Sequence, residues 1–180
     1  KKYFENQDLD NIRWLAIREE DRTTILKALK LEESKEINLK DGVNCNDVIV
    51  TPIYLGWTFF IGDALSNLLI KGEENSSEEA LINLCKSIQK LSKNFIEVQY
   101  FEHQGKLNIT GYFKANNGKL QFGYWKSETE EFSKGRVLKE IKKLHPTTAH
   151  EAASIWSIDP MDFIYLQEMA EKKSSVVVPI

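Results

Sequence analysis

Three strand-forming segments follow one another closely in the second half of the chain, and they constrain the fold more than any other feature. They cover residues 95–101, 107–114 and 119–125. The connections His103-Gln104-Gly105 and Asn116-Asn117-Gly118 are short and contain glycine, which is typical of hairpin turns. The pattern predicts an antiparallel three-stranded meander over about residues 95–125.

Alternation along these strands predicts which side chains share a face of the meander. The face expected to be core carries Ile96, Val98, Tyr100, Leu107, Ile109, Phe113, Leu120, Phe122 and Tyr124. The other face is polar and aromatic and carries Glu97, Gln99, Thr110, Tyr112, Gln121 and Trp125. Either a helix covers this second face, or Tyr112 and Trp125 are open to a partner as aromatic anchors.

Helical and strand patterns surround the meander. Strands are predicted at residues 12–18, 48–53 and 57–61, and helices at 20–31, 134–144, 147–156 and after Asp159-Pro160. Ser77 is the predicted N-cap of a further helix with a buried stripe that includes Cys85. Residues 32–47 are expected to be a loop, and residues 176–180 an edge strand or a tail. We therefore expect an α+β fold, an antiparallel sheet flanked by helices.

Length and composition bound the class of protein. The 180 residues are 42% hydrophobic and 28% charged, enough to bury a core without disulfides or metal, and no repeat or Pro/Gly-rich linker divides them. A single domain over residues 1–180 is therefore predicted. The net charge of -3 gives a weak field that demands neither nucleic acid nor an anionic membrane as partner. Two separate cysteines, no signal-peptide pattern and no apolar run of about 20 residues favour a cytoplasmic protein without membrane contact.

No enzyme active site can be assembled from the sequence. His103, His145 and His150 lack the spacing of zinc ligands. Cys45 lies in a polar stretch without a catalytic signature, and Cys85 falls on the apolar face of its helix. We expect no enzymatic activity, no metal and no cofactor. A hydrolytic enzyme would require one of the three histidines to meet Cys45 or a carboxylate in a cleft.

Five segments occur in a recognisable order from about Arg13 to Met169. They read IRWLAIR, TPIYLGWTFFIGDAL, LSKNFIEVQYF, FKANNGKLQFGYW and AASIWSIDP. In this order they resemble the immunity proteins of contact-dependent growth inhibition (CdiI), of the kind that neutralises an EndoU-type RNase toxin. The resemblance implies a stoichiometric inhibitor in the bacterial cytoplasm, which binds the C-terminal nuclease domain of the toxin and blocks its active site.

Acidic clusters indicate where such a partner would bind. In exposed loops carboxylates usually only keep a protein soluble, but they also suit a partner with a cationic cleft, and the resemblance implies a toxin with a basic cleft for RNA. The expected partner-binding residues are Glu73, Glu74, Trp125, Glu128, Glu130 and Glu131.

The alternative function is an RNA- or ligand-binding regulator that uses the aromatic face of the meander. Bases stack on aromatic side chains that a sheet displays, and the basic segment 134–144 could contact phosphates. This alternative requires an open aromatic face beside a positive surface. Because the chain has no RNP-like motif, nucleic acid is the less expected partner.

Overall fold

Nine strands and five helices lie in the part of the chain that the computed structural model describes, residues 11–31, 35–37, 47–51, 53–70, 76–159, 162 and 175–179. The strands are β1 (Asn11–Arg18), β2 (Lys35–Ile37), β3 (Asp47–Val50), β4 (Trp57–Ile61), β5 (Glu97–Gln104), β6 (Ile109–Asn116), β7 (Lys119–Lys126), β8 (Glu131–Gly135) and β9 (Ser175–Pro179). The helices are α1 (Arg22–Leu29), α2 (Leu65–Leu69), α3 (Ser77–Leu91), α4 (Lys139–Leu144) and α5 (Ala149–Trp156). All strands join one sheet in the order β2-β9-β3-β4-β1-β5-β6-β7-β8, and every neighbouring pair is antiparallel. The predicted α+β fold is confirmed.

The predicted meander is formed by β5, β6 and β7, and it contains an irregularity that the sequence pattern does not reveal. Lys114 of β6 lies opposite Phe122 of β7, whereas the next residue, Ala115, lies opposite Leu120. Gln121 is therefore an extra residue in β7, a β-bulge. Because side chains alternate along a strand, one inserted residue exchanges the faces of everything that follows it.

The bulge makes the predicted face assignment wrong for most of the third strand of the meander. Phe122 and Tyr124 were expected on the core face of the meander, with Tyr112 on the other face. They lie on the same face as Tyr112. Trp125 was expected beside Tyr112, but it lies on the other face of the sheet with Phe113 and is 9% exposed.

Two further residues that were expected in the core are exposed. Ile96 and Leu107 have 62% and 59% of their surface accessible. Ile96 directly precedes β5, and Leu107 ends a 3-10 turn, Gly105–Leu107, at the place where the second strand was predicted to begin. Both residues thus lie outside the strand pairing that would have buried them.

Helices cover both faces of the sheet and divide the core into two layers. The α3-side core packs α1, α2 and α3 on residues that include Leu15, Phe60, Val98, Tyr100, Phe113 and Trp125. The α5-side core packs α4 and α5 on residues that include Trp14, Phe59, Phe101, Tyr112 and Phe122. The sheet is consequently buried on both faces over its centre, which leaves its edges and its loops as the accessible surface.

Helix α3 begins one residue earlier than the sequence indicates. Ser76, rather than Ser77, is the N-cap, and its hydroxyl accepts a hydrogen bond of 3.2 Å from the Glu79 N–H. The predicted stripe is confirmed, since Leu84 and Cys85 on this helix are 1% and 0% exposed.

Burial controls the chemistry of Cys85, because it raises the pKa of the thiol to about 11. The thiolate is the reactive form, so in a Cys45→Ser background we expect the folded protein to resist DTNB at pH 8. Unfolding in urea should expose one thiol that reacts fast, as monitored by the absorbance of the released thionitrobenzoate. Stoichiometric labelling of the folded protein within minutes would contradict this burial.

Three strands lie where the sequence predicted something else. Strand β2 falls in the predicted loop 32–47, and β8 occupies the start of the predicted helix 134–144. Strand β9 was expected at an edge or in a tail but lies between β2 and β3. These strands are short, and β2 and β9 depend on pairing with distant segments rather than on a local pattern. Strand β8 pairs locally with β7, but its basic residues favoured a helix. The predicted helix after Asp159-Pro160 lies outside the described residues, apart from its predicted N-cap Asp159 and Asp162.

Candidate protein-binding edge of the sheet

The aromatic face of the meander is closed by α5. Tyr112 is 4% exposed, and the Trp156 ring lies edge-on to it with the ring centroids 5.7 Å apart. Lys114 Nζ lies 5.5 Å from the centroid of the Trp156 ring, a cation–π distance. A helix therefore covers this face, and Tyr112 is not available for stacking with a base or a ligand.

A buried polar network fastens the end of α5 to the sheet. Gln99 is fully buried, accepts a hydrogen bond of 2.7 Å from the Ser157 hydroxyl, and donates one to the Glu97 carboxylate. Glu97 also pairs with Lys114 Nζ at 3.1 Å and accepts a hydrogen bond of 3.3 Å from the Asn116 amide. Each carboxylate oxygen of Glu97 thus has a partner, as a buried charge requires.

His150 forms the second contact between the α5 region and the sheet. Its Nδ1 lies 3.0 and 3.2 Å from the two carboxylate oxygens of Asp159, and its ring stacks on Trp14 with the centroids 5.0 Å apart. The His103 ring meets it edge-on at 5.2 Å, while His145 lies apart as the C-cap of α4. A histidine therefore meets a carboxylate, as the hydrolase alternative requires. The His150 ring also contacts the rings of Trp14 and His103, so the pair links α5 and the segment after it to β1 and β5.

The described residues contain no group of three or more His, Cys, Asp or Glu side chains that could hold a metal ion. Cys85 is buried, and Cys45 lies outside the described residues.

Three of the predicted site residues come together in the connection between β7 and β8. The Ser127 N–H donates to the Glu130 carbonyl at 2.9 Å, and the Ser127 hydroxyl accepts from the Glu130 N–H at 3.1 Å and the Thr129 N–H at 3.3 Å. These bonds fix a tight turn, from which Glu128 and Glu130 extend as exposed side chains. We call Ser127–Glu131 the acidic turn.

Glu131, the last residue of the acidic turn, is exposed and lies near Tyr124 of β7. The pKa of Tyr124 is raised, first by burial and then by the negative charge of Glu131. Glu131 therefore lies on the side of the turn that faces Tyr124, and Glu128 and Glu130 are exposed at its tip.

The remaining predicted site residues do not join the acidic turn. The Trp125 indole packs into the α3-side core over Gly111, where an added Cβ would lie 2.8 Å from Trp125 Cδ1. The expectation that Trp125 contributes to an exposed binding surface is thus corrected by the bulge in β7. Glu73 and Glu74 lie outside the described residues, and their role stays a prediction.

The outer edge of β8 is the feature that the sequence reasoning missed. Within the described ranges no strand lies beyond β8, and its residues Glu131, Ser133, Lys134 and Gly135 are exposed, with only Phe132 partly buried. Strand β8 could have been predicted as the next strand of a hairpin, because only a short turn separates it from β7. The basic residues of 134–144 favoured a helix instead. An unpaired edge is a template on which another polypeptide can add a strand.

The described residues contain no helix that is both long and apolar enough to cross a membrane. The acidic turn and the β8 edge are adjacent and form one exposed surface, which is the candidate functional site. The chain matches no protein-family model, no curated protein and no solved structure.

Proposed function

We propose that this chain is an immunity protein, which binds the C-terminal nuclease domain of a cognate bacterial toxin in the cytoplasm and blocks its active site. The observation that supports this function is the acidic turn, where Glu128 and Glu130 are exposed on a rigid hairpin end. The order of the five sequence segments resembles CdiI and supplies the class of partner.

The acidic turn suits a nuclease as partner for a physical reason. A cleft that binds RNA must offer cationic side chains to phosphates, and carboxylates on a protruding turn can occupy the same positions. Because hydrogen bonds from the Thr129 and Glu130 N–H groups to the Ser127 hydroxyl already hold the turn in place, little conformational entropy is lost when it binds. Blocking the cleft in this way needs no catalytic group in the inhibitor.

Reversing the charge of the acidic turn is expected to slow toxin binding. In Glu128→Lys/Glu130→Lys, we expect the association rate constant with the nuclease domain to fall about tenfold or more at low salt, because electrostatic steering changes sign. The effect should shrink as ionic strength rises. Biolayer interferometry with the C-terminal nuclease domain of a candidate cognate toxin measures the rate, and an RNA cleavage assay measures protection.

The matched control reverses two other exposed glutamates. Glu78→Lys/Glu79→Lys, at the start of α3, produces the same net charge but leaves the acidic turn intact, and we expect it to retain the association rate within about threefold. Equal slowing in both variants would attribute the effect to net charge and exclude the turn. Failure of the unaltered protein to capture the nuclease domain would exclude the immunity function itself.

A further inference from the structure

We propose that β8 pairs with β8 of a second copy of this chain, antiparallel and edge to edge, so that two sheets join into one. This dimer goes beyond the proposed function, since it requires no toxin. It rests on the exposed edge of β8 and on the order of charges along that edge.

The direction of the backbone groups in β8 follows from the hairpin. Antiparallel residue pairs alternate between hydrogen-bonded and non-hydrogen-bonded, and Ser127 with Glu130 forms a hydrogen-bonded pair. Glu131, opposite Lys126, and Ser133, opposite Tyr124, are then non-bonded positions with respect to β7. Their N–H and C=O groups therefore point away from the sheet, toward whatever lies along the open edge.

Gly135 limits the length of edge that a partner can use. Its φ of +91° departs from extended backbone, and a Cβ there would lie 2.6 Å from the Gln121 carbonyl oxygen. The backbone N–H and C=O groups that point away from the sheet on extended backbone are thus those of Glu131 and Ser133. A register that centres the two-fold axis on Phe132 places Glu131 of each copy opposite Ser133 of the other, where each such pair can exchange both N–H···O bonds.

The same register brings opposite charges together. Along the chain the edge is acidic first, at Glu128 and Glu130, and basic afterwards, at Lys134 and Arg136, and all four side chains are exposed. Antiparallel pairing around Phe132 places Glu130 opposite Lys134 of the second copy, while Glu128 in the turn and Arg136 after Gly135 add their charges at the two ends of the paired edge. Opposite charges across strands stabilise a pair and like charges destabilise it, so the order of charges selects a second copy in antiparallel orientation.

The expected dimer is weak and closed. A five-residue strand buries less than the roughly 1,200 Å² of a stable interface, so we expect a dissociation constant in the micromolar range or weaker. A two-fold axis at Phe132 consumes both β8 edges at once, which gives a discrete dimer instead of a fibre. Charged residues on a short edge usually serve to prevent pairing; here their order makes the edge complementary to itself.

Sedimentation velocity of the full chain, from about 10 µM to about 1 mM, measures this association. The acid-reversed variant, Glu128→Lys/Glu130→Lys, and the base-reversed variant, Lys134→Glu/Arg136→Glu, should each dimerise at least about tenfold more weakly than the unaltered protein, because like charges then meet. An equimolar mixture of the two variants should form a heterodimer, since all the pairs are opposite again. A variant that has lost its fold would be recognised by circular dichroism.

Ser133→Pro tests the backbone pairing independently of charge. Proline is tolerated on an edge strand where the N–H faces outward, so the hairpin should remain folded while the dimer is lost. Glu78→Lys/Glu79→Lys serves as the charge control and should dimerise like the unaltered protein. A monomer throughout the concentration range, a dimer that survives Ser133→Pro, or reversed variants that fail to associate when mixed would each overturn the proposal. The base-reversed variant keeps every glutamate of the acidic turn, so its toxin binding reports on the proposed function separately.

Discussion

Replacing Glu97 by alanine is expected to lower the free energy of unfolding by about 3–5 kcal/mol, which is typical when one partner of a buried ion pair is removed. The side chains of Glu97 and Lys114 are only 9% and 15% exposed. Without Glu97 the Lys114 ammonium loses its carboxylate, and the amides of Gln99 and Asn116 lose their acceptor. Urea unfolding monitored by tryptophan fluorescence measures the change.

Two variants separate the buried charge from general effects of substitution. Glu97→Ala/Lys114→Met removes both charges, and we expect it to recover part of the lost stability, because no uncompensated ammonium remains. Glu130→Ala, in the exposed acidic turn, should change the free energy of unfolding by no more than about 0.5 kcal/mol. A loss below about 1 kcal/mol for Glu97→Ala would show that the network does not hold α5 on the sheet.

Sequence reasoning succeeded where a local pattern determines the element. Asn117 and Gly118 both have positive φ, 49° and 75°, which is the requirement of a type I′ turn and the reason that Asn-Gly between strand patterns predicts a hairpin. The stripe of α3 was likewise found from helical spacing. The glutamates of the acidic turn were predicted to be exposed because a short polar loop that follows a strand rarely becomes buried.

The features that were missed depend on contacts between distant parts of the chain. Strand β9 pairs with β2 and β3, and nothing near its own sequence specifies either partner. That β8 lies at the end of the strand order is likewise a property of the whole sheet, so an edge site could not be recognised from residues 131–135 alone. The predicted site residues show the same difference. Glu128 is exposed in its turn, as predicted, whereas the bulge in β7 places Trp125 in the core, contrary to the prediction.

The bulge in β7 also explains an unusual pair at the centre of the meander. It places Gly123 opposite Phe113 on the α3-side face, and the Phe113 ring lies over the glycine. An added Cβ at Gly123 would be 2.5 Å from Phe113 Cδ1 and 2.9 Å from Cε1. The aromatic ring thereby fills the space that a side chain on the facing strand would otherwise take, as cross-strand aromatic residues do above glycine.

Gly123→Ala is accordingly expected to lower the free energy of unfolding by about 1–3 kcal/mol, the usual cost of overpacking a core. Phe113 is fully buried and cannot rotate away without disturbing its close-packed neighbours. Urea unfolding of Gly123→Ala, Phe113→Leu and the double variant forms a double-mutant cycle. Because leucine lacks Cε1 and its two Cδ methyl groups are not held in the plane of a ring, alanine at position 123 should cost at least about 0.5 kcal/mol less in the Phe113→Leu background. An equal cost in both backgrounds would mean that the β7 backbone, and not the Phe113 ring, requires glycine at position 123. The bulge rather than the aromatic pair would then fix the register of the meander.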